Sequence, residues 1–85
     1  MAYNYKGGAL TLSATFQIVN SLNGMVRQFI IRSASGNALV ELSADGASVC
    51  GFLNAGEARE FRNTPPAAVY VRGTAGNTLY WDVSE

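Results

Sequence analysis

An all-β fold follows from three features of this 85-residue sequence: a compact antiparallel β-sandwich or small barrel, jelly-roll-like, of about seven short strands. Apolar and polar residues alternate with period two over several short runs. Turn signals rich in Gly, Asn and Asp recur about every ten residues, a spacing typical of sandwiches and barrels. No stretch of ten or more residues carries a capped helical period.

The elements are read in order. Residues 1–8 have no periodicity and end in Gly7-Gly8, which predicts a flexible N-terminal arm ahead of a single β domain over 9–85. Tyr3 and Tyr5 in so short a segment also suit docking on a neighbouring subunit. From Ala9, Leu10, Leu12, Ala14, Phe16 and Ile18 alternate with Thr11, Ser13, Thr15 and Gln17, predicting one half-buried strand with Phe16 in the core. Asn23-Gly24 breaks it. Arg27–Arg32 holds Phe29, Ile30 and Ile31 in succession, as a central or interface strand does. Ala38–Leu42 follows a Gly36-Asn37 turn, and Asp45-Gly46 closes it. Ser48–Leu53 is a short strand with Cys50, read as a buried structural thiol. Asn54–Glu57 turns into Ala58–Arg62, and Pro65-Pro66 marks a loop or sheet edge. Val69–Arg72 and Leu79–Val83, joined by Gly73–Asn77, read as a closing hairpin around which the core forms.

Composition bounds the function. A chain of this length buries only roughly 60–65% of its unfolded surface, so its stability alone is marginal. One cysteine excludes an intrachain disulfide, and 48% hydrophobic against 14% charged residues suits a surface completed by other chains. Six basic residues balance six acidic ones and do not cluster, which argues against direct nucleic-acid binding. No apolar run approaches a membrane span, and the first residues lack the order of a signal peptide, so synthesis in a cytoplasm is expected. Without histidine, His-based acid–base and nucleophilic chemistry and most zinc sites are lost. Glu57 and Glu60 are near in sequence, but nothing sets them at a glycosidase spacing. No enzyme, cofactor or metal is expected. Tyr80 and Trp81 must point to opposite faces, one to the core and one outward, as an interface anchor or a sugar platform.

The segments QFIIRSASGNALVEL, FLNAGEAREF and AAVYVRGTAGNTLYWDV, within residues 26–84, resemble small β-sandwich virion proteins of tailed bacteriophages, although Ala55 stands where Pro is common. That resemblance implies a capsid decoration or cement protein in the virion. It would be made in the host bacterial cytoplasm and would self-associate, with a trimer favoured, to bridge subunits of the major capsid protein or another virion protein. Tyr3, Tyr5, Arg27, Arg62, Tyr70 and Trp81 are the expected contact residues. The alternative is a binding module of a fibre or baseplate that contacts host glycan, or a small inhibitor of a host protein.

Overall fold

The computed structural model describes residues 5–84 and divides their strands between two four-stranded antiparallel sheets packed as a sandwich. The strands are β1 (Tyr5–Thr11), β2 (Gln17–Ile18), β3 (Val26–Ser33), β4 (Val40–Ser43), β5 (Val49–Leu53), β6 (Ala58–Thr64), β7 (Tyr70–Arg72) and β8 (Thr78–Ser84). The first sheet has the order β1-β8-β3-β6 and the second β2-β7-β4-β5. This is jelly-roll order, with strands that are consecutive in the chain placed in opposite sheets except within the central β4–β5 hairpin.

The core lies between the sheets. Phe29 and Ile31 of β3, Leu79 and Val83 of β8, Val40 and Leu42 of β4, Leu53 of β5 and Val71 of β7 are buried in one cluster. Each alternates with an outward residue, so a one-residue slip would expose the whole set. Phe29 and Phe61 meet with ring centroids 5.9 Å apart.

Three expectations change. The closing hairpin does not form: β7 pairs with β2 and β4, while β8 pairs with β1 and β3. The Gly73–Asn77 loop passes from one sheet to the other instead of folding back. It runs beside the β1–β2 corner, where the Gly73 and Gly76 amides donate to the Ser13 and Leu12 carbonyls and the Leu12 amide donates to Asn77. The two crossings therefore satisfy each other's backbone groups, which a lone crossing could not do.

The single strand expected from Ala9 to Ile18 is also divided. Ser13 folds the chain at the corner, its hydroxyl donating to the Thr15 carbonyl at 3.0 Å. The phase of alternation reverses there. Leu12 is buried, but Ile18 lies opposite Tyr70 on the outer face, and Phe16 beside it is only half-buried.

The arm expected over residues 1–8 is strand from Tyr5 onward, because Tyr5–Thr11 pairs with Thr78–Ser84 along its full length. Gly7 and Gly8 are needed for close approach. A Cβ on Gly8 would stand 2.8 Å from the Trp81 ring, which lies across the strand at that position.

Candidate functional site

The outer faces of the two sheets differ in chemistry. On the first, Gln28, Glu60 and Arg62 form a polar network: the Gln28 amide donates to the Glu60 carboxylate, and Arg62 Nε approaches it at 3.0 Å. The Gln28 bond first, with the Arg62 charge behind it, holds the Glu60 carboxyl below the usual carboxylate range. Beside this network a shallow depression of about 120 Å³ is lined by Ile30, Arg32, Tyr80 and Asp82.

The second sheet presents a more apolar face. Across its middle runs one row with a residue from each strand or its edge: Phe16, Arg72, Glu41 and Phe52. Glu41 is in register with both Arg72 and Phe52. Arg72 Nε donates to Glu41 Oε1 at 2.6 Å, and its guanidinium carbon lies 4.3 Å from the centroid of the Phe16 ring. The cation is thus held on one side by a carboxylate and on the other by an aromatic face. Ile18 and Tyr70 extend the apolar area on one side of this row. Leu39, which shares Glu41's face two residues away, extends it on the other. Phe52 and Leu39 are 48% and 49% exposed, and it is their grouping with Phe16, Ile18 and Tyr70 on one face that makes a patch.

At one end of this sheet the β4–β5 turn is braced from within. Asp45 Oδ1 accepts from the Ala47 and Ser48 amides at 2.8 and 2.9 Å and from the Ser43 hydroxyl at 2.9 Å. The Ser48 and Ala47 amides and the Ser43 hydroxyl, in that order of effect, pull the Asp45 carboxyl down to about 2. Gly46 adopts φ +81°, and the Tyr70 ring packs against it where a Cβ would be. Because the folded-state value lies below the unfolded one, Asp45 supports this turn fully above about pH 4 and loses that support as pH falls toward 2. A carboxyl-carbon NMR titration should place the Asp45 midpoint near 2, whereas a midpoint near 4 would show the turn bonds to be absent in solution.

The six expected contact residues are not brought together. Tyr3 lies outside the described residues, as does the side chain of Tyr5, whose backbone pairs with Ser84. Arg27 is exposed on β3, and Arg62 belongs to the polar network of the first sheet. Trp81 faces inward, half-buried against the core, so Tyr80, 50% exposed, is the outward member of that pair. Only Tyr70 lies on the apolar face. Sequence reasoning missed Phe16, Leu39, Glu41, Phe52 and Arg72. The signal available was the opposite charge of Glu41 and Arg72, which becomes meaningful only once β4 and β7 are known to be neighbours.

Cys50 is exposed rather than buried. Leu42 pairs with Gly51 and Ser43 with Val49, which leaves Cys50 as the extra residue of a β-bulge on an edge strand. It lines an apolar recess of about 270 Å³ between β5 and β6, with Leu42, Arg59, Phe61 and Val69. Arg59 spans these two edges, its Nη2 donating to the Phe52 carbonyl at 3.3 Å.

No family model matches the chain. No curated protein matches it in sequence. Solved structures do share its fold. An RmlC-like cupin protein from Desulfovibrio desulfuricans superposes with a TM-score of 0.67 at 21% identity, over 99% of this chain and 74% of the other. A structure of Bacillus endospore appendages, described as disulfide-linked pili, gives 0.54 at 14% identity, over 98% and 85%. A de novo designed double-stranded β-helix gives 0.50 at 15% identity, over 96% and 99%. At these identities the likeness is one of fold: the chain is a jelly roll of the double-stranded β-helix type.

Proposed function

We propose that this chain is a structural building block that works by self-association, and that it decorates or stabilises a bacteriophage capsid by bridging capsid subunits. The observation that carries the self-association is the apolar outer face of the second sheet, where large side chains stand exposed around one ion pair. The phage assignment is supported by the turn and strand segments that resemble small virion proteins. The five carboxylates among the described residues each have a separate setting: Glu41 with Arg72, Asp45 in its turn, Glu57 with Asn54, Glu60 with Gln28 and Arg62, Asp82 beside Gly7. That arrangement suits solubility and turn formation, not paired acid–base work. The fold shared with a pilus subunit supports an assembling role. A single cysteine permits at most one covalent link per chain, so disulfides could join copies only in pairs.

Sedimentation velocity over rising concentration should give a mass above the 9.0 kDa of one chain, a trimer being the species the resemblance favours. Mass spectrometry of purified particles of the encoding virus should find the chain bound to capsid. A strictly monomeric protein that never enters particles would overturn the reading.

A second reading, a glycan-binding module of a fibre or baseplate, is favoured by the depression on the first sheet. Tyr80 stands exposed there, with Arg32 directly opposite it across the strands and Asp82 two residues along. A flat ring flanked by a donor and an acceptor is suited to a sugar. A monomer whose amide signals at these residues move on titration with monosaccharides would favour it.

A further inference from the structure

We propose that the outer face of the second sheet pairs with the same face of a second copy of this chain about a two-fold axis. The inference rests on the self-association reading above and gives it a two-fold contact, which builds a dimer, or joins trimers to one another, and is not the contact that would close a trimer. The row across the face runs Phe16, Arg72, Glu41, Phe52. Turned by half a revolution about an axis parallel to the strands, the row reads Phe52, Glu41, Arg72, Phe16. With the two faces opposed, each Phe16 meets the other copy's Phe52, and each Arg72 meets the other copy's Glu41. An isologous contact requires this property, that one patch be its own complement.

The charges are arranged to gain from it. Within one chain, among the described residues, only Nε of the Arg72 fork donates to Glu41. With the Arg72 and Glu41 side chains each about a third exposed, the two Nη groups can take a carboxylate on a facing chain, turning one ion pair into a ring of four charges. The flanking Phe16 and Phe52 rings would shield that ring from water, as aromatic residues do around interface centres.

The area sets how tight the contact is. Four strands at ~4.8 Å spacing, with lengths of two to five residues at ~3.3 Å, give roughly 200 Å² per copy. That is below the ~800 Å² per partner of stable complexes, so the pairing is reversible and depends on concentration, or on a lattice that repeats it.

A charge-exchange experiment tests this. Arg72→Glu gives a face with two carboxylates, and Glu41→Arg a face with two guanidiniums. Each variant, checked for folding by circular dichroism, should associate at least ~10-fold more weakly than wild type, because like charges then oppose one another. An equimolar mixture should recover association as a one-to-one heterodimer, at or below the wild-type concentration. Mere damage to the fold cannot be repaired by mixing. Phe52→Lys, at an exposed position that tolerates the change, should also abolish pairing and decides the matter alone if the charge variants do not fold. Association of wild type that survives all three substitutions, as a dimer or as a trimer, would overturn this face while leaving self-association intact. A wild-type chain that stays monomeric at millimolar concentration would overturn both.

Discussion

Phe29→Ala should destabilise the fold by about 3–5 kcal/mol, the cost of truncating a fully buried aromatic. Phe29 has no exposed surface and lies in β3, the strand that joins β8 to β6 in the first sheet. Its ring meets Phe61, so its removal leaves a void and strips a partner from a second aromatic. A domain of this size has about 5–10 kcal/mol of net stability at best. The substitution should therefore leave a chain that is partly unfolded at 37 °C, and urea denaturation would show a much lower midpoint with little change in slope. A loss below about 1 kcal/mol would mean that the two sheets do not close on Phe29 in solution. Phe16→Ala makes the contrast. Its ring is half-buried on the outer face beside Arg72, so the loss should be well short of the Phe29 value.

Gly8→Val should cost about 1–3 kcal/mol, the usual range for overpacking a filled site. The nearest atoms to the new Cβ are Trp81 ring atoms at 2.8 and 3.0 Å, closer than carbon atoms can rest. The indole belongs to the strand directly paired with β1, and it packs on the core from its other side, so it has little room to retreat. Since Trp81 is the sole tryptophan, its fluorescence reports the event directly. The emission maximum should move to longer wavelength as β1 lifts and water reaches the ring. An unchanged spectrum and an unchanged melting temperature would show that β1 does not lie under Trp81.

Much of this fold was legible because its signals are local. The apolar run of Phe29, Ile30 and Ile31 within Arg27–Arg32, the β-prone residues of Leu79–Val83, the Asp45-Gly46 turn and the Pro65-Pro66 break each express a preference of a few neighbouring residues. What stayed hidden depends on which strands become neighbours. Val69–Arg72 and Leu79–Val83 have the composition of a hairpin, and the loop between them has hairpin chemistry. They go to different sheets because β7 pairs with β2 and β4 and β8 with β1 and β3, and the loop between them bonds to the Leu12–Ser13 corner. Phe16 continues the alternation of Leu10 and Leu12, and nothing in the sequence announces that the Ser13 corner will turn it outward. Cys50 has the apolar neighbours of a core residue but occupies a bulge on an edge. The candidate docking row was invisible for the same reason: its four residues come from positions 16, 41, 52 and 72, and only strand order makes them a line.

The pairing of β1 with β8 has a consequence for how the molecule comes into being. Among the described residues, Tyr5–Thr11 finds its one strand partner in Thr78–Ser84, more than sixty residues further along. On a ribosome the β4–β5 hairpin can form early, but the first sheet stays incomplete until Thr78–Ser84 has emerged. Bringing such distant segments together must precede the energy gained from their contact, which places this architecture among slow-folding, millisecond-to-second β topologies. During that interval the waiting strand displays an open edge, the surface on which a second copy could pair before the sheet closes.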